Sequence, residues 1–307
     1  MARKRIITAA VTGAIHNPTL SEYLPITPEE IVEDAVKAYE AGAAVAHIHV
    51  RVPEDGRPVT DMDLFKQVTS EIKKRCNLVL CVTSGGSPTM THEERIRPVP
   101  ILQPELASNN AGSMNFALFQ LLNKVKDWKH QWEKDWYAST EDLIFPNTFK
   151  SLKYFVETMY KYDTKPEFEV YDVGMINNLA YLIDVGVIKK PIYLQFVMGI
   201  LGGIPATVQN LLFLVETAKK QIGDFEWSLA AAGKDQLPLT TVALTMGGHV
   251  RVGLEDSIWL RKGVLAKSSA EQVAVIKRIA NDLSIETATP DEAREILGLK
   301  GLDKVNF

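Results

Sequence analysis

The sequence predicts an α/β protein, a closed (β/α)8 TIM barrel with a helical insertion after its fourth strand. Two observations carry this prediction. Short apolar runs alternate with helical patterns, and eight such units fit the length of 307 residues. The apolar runs are nearly continuous, which indicates strands buried on both faces, as in a parallel sheet covered by helices. Residues 1–307 are expected to form a single domain.

The eight predicted strands share an uninterrupted apolar character; they are Ile6–Thr12, Ala44–Val50, Leu78–Thr83, Leu106–Asn110, Phe168–Tyr171, Ile192–Val197, Phe225–Ala230 and Val250–Leu254. Helical patterns lie between them, and the first begins at Pro28 after a Thr27 N-cap and stops at Gly42. A doubly wound open sheet is the alternative. The absence of G-x-G-x-x-G after the first strand argues against a dinucleotide site there.

Residues 112–150 interrupt the regular alternation. They contain Trp128, Trp132 and Trp136, each four residues from the next, which predicts one stripe along a helix. The stripe is typical of packing in a core or between subunits. The alternative is a lid over the mouth of the barrel, where long insertions often lie.

The bulk composition excludes several classes of partner. A net charge of −4 gives no reason to expect nucleic acid, and no apolar run is long enough to predict a membrane span. The apolar run near the N-terminus leads directly into His16-Asn17-Pro18 and is better explained as a core strand than as a signal peptide. Two cysteines, Cys76 and Cys81, make no disulfide framework and favour a reducing, cytoplasmic setting.

Paired histidines in the second strand point to a metal. Side chains alternate along a strand, so His47 and His49 face one side and Ile48 the other. Neutral imidazole suits zinc, iron, nickel or copper. The alternative for each histidine is a core residue with satisfied hydrogen bonds.

The eighth strand supplies the charged partners. By the same period of two, Arg251, Gly253 and Glu255 share one face. Burying these charges is costly unless each has a partner or a ligand. In a closed barrel the second and eighth strands both neighbour the first, so Glu255 can complete a site of two histidines and one carboxylate. A structural Arg251–Glu255 ion pair is the alternative.

Small polar residues follow several other strands, at the end where barrel enzymes place their sites. Thr83–Pro88 has the hydroxyls and glycines of an anion cradle, and Ser108–Ser113 is similar. Glu169 is expected to point inward, and the glycine bend 199–203 is one route by which a ligand could enter.

Seven motifs are spread along the chain: VTGAIHNP, PITPEEI, AHIHVR, TSGGSPTMT, NAGSMNF, FEVYD and GGHVRVGLED. With these motifs, the sequence resembles the β-keto acid cleavage enzymes. The 3-keto-5-aminohexanoate cleavage enzyme is the named type of this family. The resemblance spans nearly the whole chain. It implies a zinc-dependent (β/α)8 homotetramer that condenses a β-keto acid with acetyl-CoA and releases acetoacetate and a new acyl-CoA.

The resemblance also implies roles for individual residues. It makes His47, His49 and Glu255 the ligands of one zinc ion per chain. It assigns catalytic roles to Arg251, Asp256 and Glu169, and it leaves the identity of the base open. Binding of the substrate carboxylate falls to residues at the ends of the third and fourth strands: Thr83, Ser84, Gly86, Ser108 and Asn110.

One departure from the family pattern bears on the substrate. Family members that cleave 3-keto-5-aminohexanoate carry an acidic residue just after the first strand, whereas this chain has Gly13-Ala14-Ile15 there. The substitution favours a neutral or anionic β-keto acid over a cationic one. Two other functions remain: a metal-dependent retro-aldol lyase that needs no CoA, and a non-catalytic barrel that binds an organic acid.

Overall fold

A computed structural model of the chain describes residues 3–85 and 90–307. In these ranges eight parallel strands form a closed barrel in chain order. They are β1 (Ile7–Ala10), β2 (Val45–Ile48), β3 (Val79–Val82), β4 (Leu106–Asn110), β5 (Lys165–Val170), β6 (Tyr193–Met198), β7 (Glu226–Ala231) and β8 (His249–Val252). Thr8 of β1 pairs with Arg251 of β8, which closes the ring. The predicted barrel is confirmed, and the open sheet was the wrong alternative.

The helices of the described ranges mostly cover the outside of the barrel, and one lies in the insertion after β4. They are α1 (Pro28–Ala41), α2 (Met62–Arg75), α3 (His92–Ile96), α4 (Pro98–Leu102), α5 (Gln131–Ser139), α6 (Phe149–Lys161), α7 (Val173–Asp184), α8 (Val208–Ile222), α9 (Gln236–Thr245), α10 (Ser269–Asp282) and α11 (Pro290–Leu297). The first begins as predicted, because the Thr27 hydroxyl accepts from the Glu30 amide and the Glu30 carboxylate accepts from the Thr27 amide. None of the helices in the described ranges is long and apolar enough to cross a membrane.

The insertion after β4 is helical, as predicted. A hairpin of Met114–Asn115 and Ile144–Phe145 frames it, and α5 lies between the two short strands. The prediction that three tryptophans lie along one face of a helix is wrong for the first of them, Trp128. Trp128 precedes the helix, because the backbone is extended at His130, and its ring packs against Tyr137 with centroids 5.4 Å apart.

Hydrogen bonds hold α5 over the loops that follow β1 and β2. The buried Glu133 carboxylate accepts from the amide and the hydroxyl of Thr19. The Tyr137 hydroxyl donates to the Ile15 carbonyl at 2.8 Å, and the Trp132 indole donates to the Asp55 carbonyl at 3.2 Å. Because both loops lie at the carboxyl ends of their strands, α5 is fixed at the mouth of the barrel.

Candidate active site

Three donor atoms converge at the mouth of the barrel. His47 lies in β2 and His49 just after it, and their Nε2 atoms are 3.1 Å apart. Oε1 of Glu255 lies 3.7 Å from the His47 nitrogen and 3.5 Å from the His49 nitrogen. Ligands of a tetrahedral ion with bonds of about 2.1 Å stand roughly 3.4 Å apart, so the spacing fits a single ion.

The protonation states of this triad also fit a cation. Burial lowers the pKa of His47 well below its usual value, which keeps the imidazole neutral. Burial opposes ionisation of Glu255, but the charge of Arg251 outweighs it and holds the pKa of this carboxyl well below its usual range. Its Oε2 atom is buried and has no hydrogen-bond partner among the described residues. Two imidazole nitrogens and a carboxylate form the donor set of an open catalytic metal site.

A second group of buried donors lies nearby but suits a metal less well. His47, Cys81 and Glu167 also have potential ligand atoms within 4.8 Å of one another. Burial raises the pKa of Glu167 to about 8 and the pKa of the Cys81 thiol well above its usual value. Both groups are therefore mainly protonated at neutral pH, whereas metal ligation requires their deprotonated forms.

Arg251 is the buried cation of the site, and four polar side chains surround it. Its Nε and Nη2 atoms donate to the two carboxylate oxygens of Asp256 at 2.8 and 2.9 Å. Nη2 also lies 2.8 Å from Glu255, and Nη1 donates to the Gln195 amide oxygen at 3.0 Å. Glu169 lies 3.6 Å from Nη1. One guanidinium thus faces three carboxylates, an excess of negative charge that favours a bound cation.

The end of β8 differs from the sequence expectation. Alternation predicted one continuous strand with Arg251, Gly253 and Glu255 on a shared face, but the strand stops at Val252. Gly253 turns the chain so close to β1 that a Cβ there would lie 2.0 Å from the Ala10 carbonyl oxygen. Because of this turn, Asp256 reaches Arg251 as Glu255 does, although alternation along a strand would have pointed it away.

The structure brings some of the other predicted residues to the triad and leaves others aside. Glu169 accepts from the Asn110 amide and the Tyr171 hydroxyl, each at 3.0 Å. A cavity of about 90 Å³ brings together the following predicted residues: His47, His49, Thr83, Asn110, Glu169, Arg251, Glu255 and Asp256. Ser84 and Ser108 are buried and bond to each other, with the Ser84 hydroxyl donating to the Ser108 carbonyl, and neither lines the cavity. Gly86 lies outside the described residues.

Sequence reasoning missed the apolar wall of this cavity. The wall is formed mainly by Phe116, Trp136, Leu143, Phe145, Tyr171 and Ile200. Tyr171 follows Glu169 by two residues, so the alternation that turned Glu169 inward could have found it. Gln195 also had a signal, a polar residue inside an apolar run. Phe116 and Leu143 belong to the insertion, whose path no periodicity gives.

The loop after β1 presses against the triad and is held there by Arg51. This buried guanidinium donates to the carbonyls of Thr12, Gly13 and His16 at 2.8–3.0 Å. Gly13 has φ +61°, and a Cβ there would lie 2.1 Å from Cγ of Glu255. The loop therefore fixes the position of the carboxylate donor through direct contact.

We expect Gly13→Ala to weaken metal binding, because the added methyl group must displace Glu255. Gly263→Ala is the matched control, since Gly263 also has a positive φ, +77°, but has no atom within 4 Å of an added Cβ. Both changes carry the backbone cost of about 1 kcal/mol, and only the first carries the collision. Metal titration by calorimetry tests this, and equal affinities in the two variants would contradict it.

Comparisons with known proteins agree with this geometry. A sequence model of the β-keto acid cleavage enzyme family matches residues 4–299. The 3,5-dioxohexanoate:acetyl-CoA acetone transferase of Paraburkholderia graminis is 45% identical over 306 residues, which cover 99% of each chain. The 3-keto-5-aminohexanoate cleavage enzyme of Acetoanaerobium sticklandii is 40% identical and covers 96% of this chain and 98% of its own.

Among solved structures, the apo form of ObcA aligns with a TM-score of 0.71 and 21% identity. The alignment covers 91% of this chain, which spans 66% of the length of that ObcA chain, and the likeness shows the fold alone. The predicted family is confirmed by the family match and by relatives at 37–40% identity with the named type. The chain belongs to the β-keto acid cleavage enzyme family.

Proposed function

We propose that this protein is a metal-dependent transferase that condenses a β-keto acid with acetyl-CoA and releases acetoacetate and a new acyl-CoA. The observation that carries the proposal is the convergence of His47, His49 and Glu255 beside Arg251 in one cavity, in a chain of this family. The printed names of relatives from Paraburkholderia graminis and Cupriavidus necator both include acetyl-CoA.

Zinc is the ion that we propose for the triad, one per chain. His47, His49 and Glu255 would hold it, and the donor set of two nitrogens and one oxygen leaves room for substrate. When bound, such an ion supplies Lewis-acid polarisation of the substrate oxygens. Elemental analysis of the purified protein identifies the ion.

The products define what the side chains must do. Acetoacetate combines the acetyl group with carbons 1 and 2 of the substrate, so carbon 2 loses a proton, attacks the thioester carbonyl and releases the CoA thiolate. The thiolate then attacks carbon 3, and the bond between carbons 2 and 3 breaks with its electron pair left on carbon 2. Carbon 2 takes back the proton from the base, which completes acetoacetate and leaves the acyl group on CoA. Arg251 would stabilise the developing oxyanions, an effect of about 3–4 kcal/mol for comparable donors.

Two carboxylates are candidates for the base that removes the proton. Both oxygens of Asp256 accept hydrogen bonds from Arg251, which suits a group that orients the arginine. Burial raises the pKa of both carboxyl groups, that of Asp256 to about 6, and such a shift makes a carboxylate a stronger base. Glu169 differs because it lies 3.6 Å from Arg251 and is not held by it through both oxygens. We therefore favour Glu169 for proton transfer, with Thr83 and Asn110, which line the cavity, binding the substrate carboxylate.

The lining of the cavity supports a substrate with a neutral side chain. Ala14 and Ile15 occupy the position where a family acid would pair with an ammonium group, and the aromatic rings of Phe116, Trp136 and Phe145 also line the cavity. An ammonium group without a partner would lose its hydration there at a cost of several kcal/mol. The dioxo acid in the name of the Paraburkholderia relative is neutral at the corresponding position.

A substrate panel tests the function. The purified protein is incubated with 3,5-dioxohexanoate, 3-oxoadipate and 3-keto-5-aminohexanoate, with and without acetyl-CoA, and acetoacetate and acyl-CoA are measured by mass spectrometry. We expect turnover only in the presence of acetyl-CoA. We also expect the kcat/KM for 3,5-dioxohexanoate to exceed that for 3-keto-5-aminohexanoate at least about tenfold, equivalent to about 1.4 kcal/mol. Cleavage without acetyl-CoA would indicate the retro-aldol lyase, and binding without turnover would indicate a binding protein.

We also propose that the chain acts as one domain, forms a homotetramer and works in the cytoplasm. Several large apolar side chains are exposed on α6, α7 and α8, namely Phe149, Tyr181, Leu212 and Phe213. Such a surface is typical of contacts between subunits. Both cysteines are free, which suits a reducing compartment. Light scattering of the purified protein measures the oligomeric state.

A further inference from the structure

A second cavity lies directly beside the metal site. Its volume is about 350 Å³, and it shares Ala14, His49, Thr83 and Trp136 with the smaller cavity that contains the triad. Four common wall residues place the two spaces in contact. The outer part is lined by Arg57, whose side chain is 56% exposed to solvent. The second cavity therefore extends from the triad toward the protein surface.

The reaction requires more space than the metal site offers. The site cavity holds about 90 Å³, whereas pockets for ligands of drug size measure roughly 300–1,000 Å³. Small reacting groups fit beside the triad, but a thioester also carries a long pantetheine arm and anionic phosphates. The neighbouring cavity has the volume for the arm and a cation toward its outer end.

We propose that the second cavity binds the pantetheine arm of the acyl-CoA, with the thioester next to Trp136 and the phosphates toward Arg57. This inference rests on the proposed function. Trp132 and Trp136 of α5 form one wall, and Val59 and Thr60, which follow β2, belong to the other. Apart from His49, Arg57 and the exposed Asp135, the lining is apolar or weakly polar, which suits an arm that combines methyl groups with amides.

The Trp136 indole provides a second, independent observation. Its Nε1 atom is buried and has no hydrogen-bond partner among residues 3–85 and 90–307, whereas Trp132, one helical turn earlier, donates to the Asp55 carbonyl. A buried donor without an acceptor costs about 1–3 kcal/mol. Trp136 lines both cavities, and we assign this buried donor to the thioester carbonyl or the first pantetheine amide.

The other route considered from the sequence, the glycine bend 199–203, is closely packed. A Cβ on Gly202 would lie 2.0 Å from the Asn115 carbonyl oxygen, and one on Gly203 would lie 2.8 Å from the Tyr171 carbonyl oxygen. These two glycines allow the bend to pack closely against neighbouring backbone. The bend therefore leaves no space for a pantetheine arm at these two positions.

Two adjacent residues of α5 provide a matched test. Ser139 and Ala138 are both exposed, but only Ser139 lines the second cavity. We expect Ser139→Trp to raise the KM for acetyl-CoA about tenfold, equivalent to about 1.4 kcal/mol. Two other KM values should stay within about twofold of those of the unmodified protein. One is the KM for the β-keto acid, and the other is the KM for S-acetyl-N-acetylcysteamine, a thioester that lacks most of the pantetheine arm. Ala138→Trp should change none of these KM values, and identical acetyl-CoA kinetics in the two variants would overturn the proposal.

Trp136→Phe tests the indole N–H and should give a different pattern. The phenyl ring keeps an apolar wall but removes the donor, so the KM should rise about three- to tenfold for both thioesters, because both retain the thioester and the first amide. An unchanged KM for both would remove Trp136 from thioester binding. Melting temperatures of all three variants show that they are folded.

A binding measurement separates this inference from the proposed function. Calorimetry with CoA itself requires no turnover. If no acid is cleaved but CoA binds and Ser139→Trp weakens binding about tenfold, the cavity assignment stands and the proposed reaction fails. If CoA binds equally to Ser139→Trp and Ala138→Trp, the cavity assignment fails whatever the activity. If the unmodified protein does not bind CoA, both fail.

Discussion

Replacing His47 with alanine should reduce the metal content from about one ion per chain to nearly none and should abolish turnover. The side chain is buried, and its Nε2 atom lies within 4 Å of both other donors, so its removal leaves only His49 and Glu255 of the triad. Two remaining ligands bind a divalent ion far more weakly than three. Elemental analysis and activity with acetyl-CoA measure the two effects.

Thermal unfolding separates loss of the metal from loss of the fold. An ion that binds only the folded state raises its stability, so added zinc should increase the melting temperature of the unmodified protein and not that of His47→Ala. His130→Ala is the control, because His130 makes no capping hydrogen bond at the start of α5. A His47→Ala protein that retains stoichiometric metal would refute the ligand assignment.

Replacing Arg251 with alanine should lower kcat by roughly 10²–10³, as the loss of a single oxyanion donor does in other enzymes. It should also destabilise the fold by about 3–5 kcal/mol, because Glu255 and Asp256 then lose their buried cation. Arg251→Lys should rescue little, since an ammonium group cannot form the two parallel bonds to Asp256. Metal binding should persist in both variants, which distinguishes them from His47→Ala.

The pH dependence of stability gives Arg251 a second signature. In the unmodified protein the depressed pKa of Glu255 contributes stability above its usual value of 4.5, and this contribution is lost as the pH falls. Without Arg251, burial favours the protonated form of Glu255, as it already does for Asp256, whose pKa is raised to about 6, so stability should decrease more steeply as the pH rises above 4.5. Denaturant unfolding in a chelator between pH 4 and 8 measures the slope. The exposed Arg278→Ala variant is the control, and equal slopes in the two variants would contradict the assignment.

The regular part of the fold could be predicted because it follows from local periodicity. The alternation of side chains along β2 predicted that His47 points inward, and the number of predicted strands indicated a closed barrel. The bounds of β5 were less accessible, since the prediction began at Phe168 and the strand begins at Lys165. Lys165 pairs with Leu106 of β4, and such pairing with a neighbouring strand leaves no apolar signal in the sequence.

Positions set by turns could not be predicted in the same way. Alternation along β8 gives Asp256 the wrong direction, because the chain leaves the strand at Gly253. Ser84 and Ser108 looked equally suited to bind substrate, but contact across two neighbouring strands makes them partners of each other. Trp136 reaches the cavity only because hydrogen bonds from Trp132 and Tyr137 hold α5 over the mouth.

The three donors come from both sides of the place where the last strand of the barrel pairs with the first. There, β1 lies between the strand of His47 and the strand that leads to Glu255. A growing chain that has not yet reached Glu255 offers an ion only two of its three donors. The full set exists only after the last strand has docked beside the first. Capture of the ion would therefore mark the final step of assembly, and a chelator would favour chains whose ring is still open.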